Sequence, residues 1–487
     1  MASLRHELFA SEKQNPRTSH VFVPNDRLDI IITEETIRNV CQIPQEVPIY
    51  KMIRVVAILI YIEKLSTDRI TRMYEHGFID ECLPVNGDKT GSLTSISNNS
   101  SYTAKTFPPF FEEPVIAGNF RLYQWKFLSP CFGDANHLEL DPRRILPLIW
   151  YSKKGEGGQA DVYQVKIHHA HLDISPKPTE VNNPYIAMKQ LKMGSQKNFD
   201  REKHALSRIQ KLKHKHLIEM IASFHMDSTY CFLFPWAESG HLEDFWEKMN
   251  HEPRSADLIL WVFEQMKGLA SAVMELNSPT IRYKEQENGR HGDLKPENIL
   301  LFDVGSTATP RGVLQITDAG LARFHNLYTS VRVQGTTTYG STIQYAPPEA
   351  LNRDQNAKRS RLFDMWSLGC VCLEFLTWLL LGYDEIVAFR SRREQFGGCE
   401  DSEFYTKGNG QFVVHPEVEL HMNVLLENER CQIDTCFKDL LGIVKDHMLV
   451  VDVDRRLDSS QLDRRLGIIF DKAKHDSAYL CGPQHDN

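Results

Sequence analysis

The pattern of apolar and polar residues changes twice along the 487-residue chain. Residues 1–86 predict a mostly helical N-terminal region, because candidate caps such as Ser66 precede segments whose apolar positions fall on one helix face. Residues 87–106 are rich in Ser, Thr, Asn and Gly, which predicts a linker or loop. Residues 107–144 are predicted to connect this linker to the rest of the chain.

From about residue 145 onward, the pattern predicts strands first and helices later. Short β-like segments occur at Asp161–Ile167 and Tyr185–Leu191, and long helical segments occur at Ser255–Leu276 and Leu362–Leu381. This order predicts an α+β unit with two lobes and a cleft between them.

The composition narrows the classes of function. Hydrophobic residues make up 41% of the chain and charged residues 25%, which are ordinary values for a globular protein. The formal net charge of −8 favours neither a nucleic-acid partner nor a membrane surface. Ten cysteines without a CxxC pair predict free thiols rather than zinc ligands.

Neither a signal peptide nor a membrane span is predicted. The first residues lack an apolar core followed by a small-residue cleavage site. The apolar segment Val55–Ile62 is too short to cross a membrane, and Leu368–Tyr383 carries Glu374, so both predict buried helices. A cytoplasmic or nuclear location is therefore expected. The sequence does not predict the oligomeric state.

A glycine-rich segment lies at the start of the first predicted strand. Gly155, Gly157 and Gly158 would let backbone N–H groups approach phosphate oxygens without an intervening side chain, and Val162 would cover the apolar face of a nucleotide base. A flexible hairpin without a ligand gives the same pattern, so both interpretations stay open at this point.

A lysine follows within an apolar strand. Lys189 ends the sequence Ile186-Ala187-Met188-Lys189, where a buried ammonium group needs a partner. Glu202, on a predicted helix, is the candidate partner. Such a pair would hold the ammonium against the α- and β-phosphates of a nucleotide.

The segment His291–Leu300 contains the strongest chemical signal in the chain. Within eight residues it places a carboxylate, an ammonium group and a carboxamide. Phosphoryl transfer requires this set: Asp293 would accept the proton of the attacking hydroxyl, Lys295 would offset charge on the γ-phosphate, and Asn298 would bind Mg²⁺. A second carboxylate, Asp318, follows the next apolar strand and would bind the Mg²⁺ that bridges the phosphates.

Together these motifs resemble the signature set of the eukaryotic protein kinases, in the correct order from residue 155 to about 457. Pro348-Glu349 resembles the end of the activation segment, Asp364 the start of the buried central helix, and Arg456 the late arginine that pairs with the motif glutamate. Lys295 is typical of the serine/threonine type.

The resemblance implies a two-lobed protein kinase fold, with a small β-rich N-lobe and a large helical C-lobe. The domain is predicted at 145–470, with the N-lobe at about 145–234 and the C-lobe at about 238–470, followed by a tail at 471–487. ATP and Mg²⁺ are the implied cofactors, and the implied partners are a nucleotide and a protein substrate.

The same resemblance implies further roles for individual residues. Those expected to contact the nucleotide are Ala187, Phe234, Pro235, Ala237 and Leu300. Those expected to have structural roles are His291 and Thr342, the second of which would brace Asp293 beside the peptide. The segment from Trp125 to Phe132 and the N-terminal helices also resemble a group of kinase-domain proteins common in filamentous fungi.

Three features depart from the family pattern. Gly292 replaces an arginine that normally holds an activation-segment phosphate, and Ala319 replaces a phenylalanine. The segment from about Asp384 to Glu429 is longer and more polar than a minimal kinase needs, which favours a surface insertion.

Two alternatives to an active protein kinase follow from the sequence. The departures at Gly292 and Ala319 are compatible with a catalytically impaired scaffold (a pseudokinase), although the metal ligands and Lys189 are retained. The His-Gly-Asp sequence at 291–293 also resembles aminoglycoside and choline kinases, which phosphorylate small molecules. The Pro-Pro-Glu and Asp-Met-Trp motifs favour a protein substrate instead.

Overall fold

The computed structural model describes residues 1–96, 105–157, 160–192, 196–277, 291–303, 311–318, 344–351, 361–396, 403–431 and 434–482. Its residues form two compact units. Unit 1 comprises Met1–Ser195 and Met220–Trp236, and unit 2 comprises Gln196–Glu219 and Ala237–Asn487.

The first part of unit 1 consists of short helices and strands. In chain order they are α1 (Ala2–Ala10), β1 (Lys13–Gln14), β2 (Val21–Phe22), α2 (Asn25–Ile31), α3 (Glu34–Val40), α4 (Ile53–Tyr61), α5 (Thr67–Glu75), β3 (Val85–Gly87), β4 (Leu93–Ser95), β5 (Thr106–Phe107) and α6 (Pro114–Tyr123). Short 3₁₀ helices occur at Ile49–Lys51, Asp80–Cys82 and Gln124–Phe127. The predicted caps are correct for α5, where the Ser66 hydroxyl accepts a bond from a backbone N–H of the first turn.

One hydrophobic core joins this part of the chain from Leu4 to Leu128. Helix α4 is its centre and is buried on all sides from Val55 to Tyr61. The segment 87–106, which was predicted as a linker or loop, includes strand β4 and the first residue of β5, and β4 is the central strand of a three-stranded antiparallel sheet of order β3-β4-β5. Leu93 and Phe107 are buried there, and burial of such apolar side chains offsets the polar composition around them.

The second part of unit 1 is built on a six-stranded sheet. Its strands are β7 (Asn136–Leu140), β8 (Leu148–Glu156), β9 (Ala160–Ile167), β11 (Ile186–Leu191), β12 (Ala222–Met226) and β13 (Thr229–Pro235). Two further strands, β6 (Phe132–Gly133) and β10 (Leu172–Asp173), form a separate parallel pair, and a 3₁₀ helix lies at His169–His171. The sheet order is β7-β12-β13-β11-β9-β8, with β7 parallel to β12 and the other pairs antiparallel. The segment predicted as a connection, 107–144, therefore contains helix α6 and an edge strand of this sheet.

Unit 2 is mostly helical. Its helices and strands are α7 (Gln196–Leu212), α8 (Leu242–Lys248), α9 (Ala256–Asn277), β14 (Ile299–Phe302), β15 (Val313–Ile316), α10 (Leu362–Leu381), α11 (Tyr383–Gln395), β16 (Tyr405–Gly408), β17 (Gln411–Val414), α12 (Pro416–Glu427), α13 (Cys436–Ile443), α14 (Ser459–His475) and α15 (Ser477–Cys481). Short 3₁₀ helices occur at Pro296–Asn298, Pro348–Leu351, Glu429–Cys431 and Val453–Arg455, and a π-helical turn occurs at Val444–Met448.

Helix α10 forms the centre of the unit 2 core, since all its residues from Phe363 to Leu379 are buried. Among the described residues it is also the one helix that is long and apolar enough to cross a membrane. Because 89% of its apolar window is buried inside the protein, it meets that test as a core helix.

The C-terminal end of the chain is packed as far as it is described. A tail was predicted at 471–487, but α14 continues to His475 and α15 follows at once. Tyr479 and Leu480 are buried, and the Tyr479 hydroxyl donates to Asp439 Oδ2 at 2.6 Å. The range predicted as a tail thus includes the end of α14 and all of α15, with Tyr479 and Leu480 buried.

Candidate active site

A buried carboxylate on α10 shapes the loop that carries Asp293. Asp364 accepts the backbone N–H of His291 at 2.9 Å and that of Gly292 at 2.7 Å, and its own side chain is inaccessible to solvent. Gly292 has φ +77°, a left-handed conformation that glycine adopts without strain. The glycine that departs from the family pattern therefore suits the turn that Asp364 holds.

His291 connects this loop to the strand pair β14–β15. Its ring is fully buried, its Nε2 donates to the carbonyl of Thr317 at 2.7 Å, and its Nδ1 accepts the backbone N–H of Asp293 at 3.2 Å. The ring thus fixes the backbone immediately before both predicted acidic site residues, Asp293 and Asp318.

Asp293, Lys295 and Asn298 lie together on the loop, as predicted. The Asn298 carboxamide donates through Nδ2 to the Asp293 carbonyl at 2.7 Å and to Asp293 Oδ2 at 2.9 Å. Lys295 Nζ lies 3.5 Å from the same carboxylate oxygen. The Asp293 carboxylate is therefore held by two donors, and the Nδ2 bonds orient the carboxamide so that its oxygen points away from Asp293.

The strand pair β14–β15 brings the two predicted metal ligands to the same end of one hairpin. Ile299 is paired with Ile316, and the Thr317 N–H donates to the Asn298 carbonyl at 2.9 Å. Asp318 follows directly with φ +60°. A carboxylate and a carboxamide oxygen are the hard donors that Mg²⁺ prefers, so these residues fit the predicted ion.

In unit 1, the glycine-rich segment forms the hairpin between β8 and β9. Gly155 is paired with Val162, and the Gly157 N–H donates to the Ala160 carbonyl at 2.9 Å. A side chain at Gly157 would begin 3.1 Å from that carbonyl oxygen, so a small residue suits this position. Gly158 lies outside the described residues.

Four of the predicted nucleotide-binding residues, Val162, Ala187, Lys189 and Phe234, share one face of the sheet. Lys189, which is 7% exposed, is paired with Val162 on one side and with Phe232 on the other. Ala187 is paired with Phe234, two residues along each strand, so both side chains point to the same face as Lys189. Pro235 ends β13 opposite Ile186.

The remaining predicted nucleotide contacts belong to unit 2. Glu202 lies on α7 and is buried, Ala237 is the second residue after β13, and Leu300 is on β14 paired with Gln315. The pairing of Lys189 with Glu202 and the complete nucleotide site stay predictions.

The predicted ion pair of the C-terminal unit is present. Arg456 donates to Glu349 through Nη1 at 2.7 Å and Nη2 at 3.0 Å, a bidentate arrangement. The Arg456 side chain is inaccessible to solvent, and its Nε also donates to the Val450 carbonyl at 2.6 Å. The pair joins the 3₁₀ helix Pro348–Leu351 to the segment before α14. Thr342 and Ala319 lie outside the described residues.

Sequence reasoning missed a buried ionic network beside the loop. Arg390 on α11 donates to Glu374 through Nε at 2.9 Å and Nη2 at 3.1 Å, and to Glu243 through Nη1 at 2.7 Å and Nη2 at 2.9 Å. The Tyr345 hydroxyl donates to Glu374 Oε2 at 2.7 Å and lies 3.0 Å from Arg390 Nη2. We define Glu243, Glu374, Arg390 and Tyr345 as the Arg390 network.

The Arg390 network sets two carboxylates against one guanidinium group. Burial is the largest single influence on the pKa of Arg390 and lowers it, but the charges of Glu374 and Tyr345 and the hydrogen bonds to Glu243 and Glu374 together raise that pKa. Burial and the Glu374 carboxylate raise the pKa of Tyr345 well above its usual range. A signal existed in the sequence: Glu374 lies within an apolar helix, where a buried carboxylate requires a cation. Within the predicted surface insertion at 384–429, Arg393 is fully buried and the Arg390 side chain is 21% exposed.

A second cluster of metal-type side chains lies apart from this site, in unit 1. Asp26, His168 and His169 each place a ligand atom within 4.8 Å of the others. The two imidazole rings are stacked at 4.4 Å with an interplanar angle of 28°, so their lone pairs run side by side rather than toward one point. His169 Nε2 lies 3.3 Å from Asp26 Oδ2, which makes the cluster a histidine–carboxylate pair.

Comparison with known proteins agrees with this geometry. The family model described as "Protein kinase domain" matches residues 152–429, which is more than half of the chain. The chain belongs to the eukaryotic protein kinase superfamily, serine/threonine type, and the predicted α+β kinase fold is confirmed.

The curated relatives include several cyclin-dependent kinases. Cyclin-dependent kinase 15 of Homo sapiens is 26% identical over 273 residues, which is 54% of this chain and 49% of the relative. Cyclin-dependent kinase 14 of Xenopus laevis is 25% identical over 256 residues (51% and 46%), and cyclin-dependent kinase 17 of Caenorhabditis elegans is 24% identical over 231 residues (46% and 28%). The chain thus spans less than half the length of these relatives.

Proposed function

We propose that this protein is an active serine/threonine kinase that transfers the γ-phosphate of ATP to a Ser or Thr hydroxyl of a protein. The observation that carries the proposal is the arrangement of Asp293, Lys295 and Asn298, in which the carboxylate is held by the carboxamide at 2.9 Å and faces the ammonium group at 3.5 Å. A scaffold that only retains the fold has no need of this arrangement.

Each side chain has a role that follows from its chemistry. Asp293 orients the substrate hydroxyl and accepts its proton, and its bond to Asn298 fixes the carboxylate in place before the substrate arrives. Lys295, beside Asp293, offsets negative charge that develops on the transferred phosphoryl group. Asp293 would thus take its proton from the substrate hydroxyl whose oxygen attacks the γ-phosphate.

The nucleotide would be bound by residues of both units. Asn298 and Asp318 would hold Mg²⁺, which supplies positive charge to the phosphate oxygens. In unit 1, Lys189 would bind the α- and β-phosphates, and the Gly155–Gly157 backbone would approach them closely. Val162, Ala187 and Phe234 provide an apolar face for the base on the same side of the sheet.

The test measures phosphate transfer and nucleotide binding in parallel. The full chain, with labelled ATP and Mg²⁺, is expected to label itself or a generic protein on Ser or Thr, and Asp293→Asn is expected to reduce the rate at least about 1,000-fold. The matched control is Asp471→Asn, because Asp471 is exposed in the middle of α14. That variant should retain the wild-type rate.

The alternatives give different results in the same assay. Binding of ATP without transfer, by the wild-type chain, would identify a scaffold and refute the proposal. Transfer to small alcohols or amino sugars but to no protein would identify a small-molecule phosphotransferase. Lys189→Met should weaken transfer without unfolding the chain; an unchanged rate would show that Lys189 does not contact the nucleotide.

A further inference from the structure

The N-terminal region places one hairpin against the six-stranded sheet. Strands β1 and β2 pair antiparallel, with Lys13 opposite Phe22, and β1 lies beside β8. We define residues 13–22 as the N-terminal hairpin. The hairpin and the sheet belong to the same compact unit, although the hairpin precedes the family match that begins at residue 152. The surroundings of the kinase sheet therefore include a segment from the start of the chain.

Asn15 shapes the tip of the N-terminal hairpin and attaches it to the sheet. It is 1% exposed, and its Oδ1 accepts the backbone N–H groups of Arg17 at 2.7 Å and of Thr18 at 3.3 Å, a turn that asparagine favours. Its Nδ2 donates to the carbonyl of Leu146, just before β8, at 2.7 Å. One buried amide thus fixes both the turn and its position at β8, and so places Arg17.

Arg17 extends from this tip over the sheet. Its guanidinium carbon lies 5.6 Å from the centroid of the Tyr151 ring on β8, and its Nη2 donates to Gln190 Oε1 on β11 at 3.3 Å. Its charge also reaches β13, because burial raises the pKa of the Cys231 thiol to about 12 against the opposing positive charge of Arg17. One side chain of the N-terminal hairpin thus interacts with three strands of the sheet.

The residue that Arg17 binds on β11 is the neighbour of the predicted phosphate-binding lysine. Gln190 follows Lys189 directly, and adjacent residues of a strand point to opposite faces of the sheet. Lys189 shares its face with the other predicted nucleotide contacts of the sheet, whereas Gln190 is paired with Asp161 and Cys231 on the opposite face. Arg17 therefore holds β11 from behind the predicted nucleotide site.

This contact stabilises the fold less than an apolar one would. Arg17 Nη1 is buried, and within the described parts of the chain it has no hydrogen-bond acceptor. A buried donor without a partner lowers stability, and the neutral side chains of Tyr151 and Gln190 compensate the charge only in part. What the arginine adds is direction, because its planar group lies over a ring on β8 and donates to an amide on β11 at the same time.

We propose that Arg17 is a positioning residue for ATP binding: the N-terminal hairpin holds β8 and β11 from the face opposite the nucleotide, and so fixes Lys189 and the glycine-rich hairpin for the phosphates. This inference rests on the proposed function, since it concerns how the nucleotide is bound. Arg17 does not itself contact the nucleotide. The N-terminal region is then a working part of the nucleotide-binding sheet.

The first arm of the test separates KM from kcat. The full chain and Arg17→Ala are assayed with a generic protein substrate over a range of ATP concentrations at saturating Mg²⁺. Arg17→Ala is expected to raise the KM for ATP by about 5- to 20-fold and to change kcat by less than about twofold, because Lys189 would bind the phosphates both before and during transfer. Partial unfolding would instead lower kcat and leave KM unchanged. The matched control is Arg27→Ala, because Arg27 is exposed on α2; it should retain both values.

Further variants test the contact itself. Gln190→Leu removes the acceptor and should raise the KM for ATP, and the double variant with Arg17→Ala should exceed Arg17→Ala alone by less than about twofold, because both changes break one interaction. Arg17→Lys keeps a cation near Tyr151 and should recover part of the affinity. If Arg17→Ala does not fold, Arg17→Met replaces it, because methionine fills similar space without a buried charge.

The second arm does not depend on turnover. Hydrogen–deuterium exchange of the backbone amides in Ile186–Leu191, which is β11, is measured without nucleotide in wild type, Arg17→Ala and Arg27→Ala. Exchange in β11 is expected to be at least about threefold faster in Arg17→Ala, because a strand that loses a side-chain anchor opens more often. Arg27→Ala should exchange at the wild-type rate.

The outcomes separate this inference from the proposed function. A folded Arg17→Ala whose KM for ATP lies within about twofold of wild type, or whose kcat falls at constant KM, would overturn the positioning role. Equal exchange of β11 in wild type and Arg17→Ala would overturn it as well. If wild type transfers no phosphate, the proposed function fails, and the exchange measurement still decides whether Arg17 holds β11.

Discussion

Replacing Asp364 with asparagine tests how the catalytic loop is held. In the wild-type chain the Asp364 carboxylate accepts two backbone N–H groups, at 2.9 and 2.7 Å, in a position without solvent access. Asparagine has the same shape but only one acceptor oxygen, so one N–H loses its partner and faces an NH₂ group. The other N–H then donates to an uncharged amide oxygen instead of a carboxylate.

The cost can be estimated from these two bonds. A hydrogen bond to a charged group contributes roughly 1.5–3 kcal/mol, and a buried N–H without a partner costs roughly 1–3 kcal/mol. Allowing for the neutral bond that remains, Asp364→Asn should lose about 2–4 kcal/mol of stability. For a unit of this size, that corresponds to a melting temperature lower by about 4–10 °C.

The assay combines calorimetry with turnover measured well below the melting transition. Because Asp293 follows His291 and Gly292 directly, displacement of the loop should also reduce kcat/KM by roughly 10- to 100-fold. Asp471→Asn, on the exposed side of α14, is the control and should shift neither quantity. A melting temperature for Asp364→Asn within about 1 °C of wild type would refute the reasoning, since the two N–H groups would then have other partners.

Other predictions concern stability. Glu349→Ala should lower the free energy of unfolding, measured by calorimetry, by about 3–5 kcal/mol, because it leaves the buried guanidinium of Arg456 without its anion. A change of under about 1 kcal/mol would contradict the pairing. Gly268→Ala should lower the free energy of unfolding by about 1–3 kcal/mol, because the added Cβ would lie 2.0 Å from His216 Nε2. Gly442→Ala is the control, because nothing lies within 4 Å of its added Cβ, and it should stabilise the protein slightly. Both changes are measured by urea titration. Burial lowers the pKa of His216 from 6.5 to about 4. The unfolded chain therefore binds a proton that the folded chain does not between these pH values, and stability falls as pH decreases from 6.5 toward 4. The loss between pH 7 and pH 5 should be about 2 kcal/mol smaller in His216→Gln, and an equal loss in both proteins would show that His216 is not responsible.

The residues of the active site that are close in sequence were predictable. Asp293, Lys295 and Asn298 lie on one short loop, so their spacing alone places them together, and the His291 bond to Thr317 follows from the hairpin that the loop begins. The Glu349–Arg456 pair joins residues 107 positions apart and was predictable only through the family resemblance.

The Arg390 network was not predictable in the same way. Glu374 indicated that a cation was needed, but Arg390 and Glu243 are 147 positions apart, and neither pattern nor spacing selects one arginine among several on a polar helix. Likewise, the composition of residues 87–106 indicated a linker, because one buried side chain at each end, Leu93 and Phe107, is too weak a signal to outweigh the polar residues around it. In both segments the structure depends on contacts between residues that are far apart in sequence, which composition and spacing do not reveal.

Strand β7 has a practical consequence for anyone who expresses the kinase portion of this chain. It begins at Asn136, before the family match at residue 152, and it covers the outer edge of β12 with a parallel pairing, while Phe132 packs against Phe224 at 5.5 Å. A fragment cut at the family boundary would expose unpaired N–H and C=O groups along β12, a surface prone to intermolecular strand pairing. A soluble, monomeric fragment therefore has to start upstream of Phe132, because the six-stranded sheet includes β7, which lies before the family match.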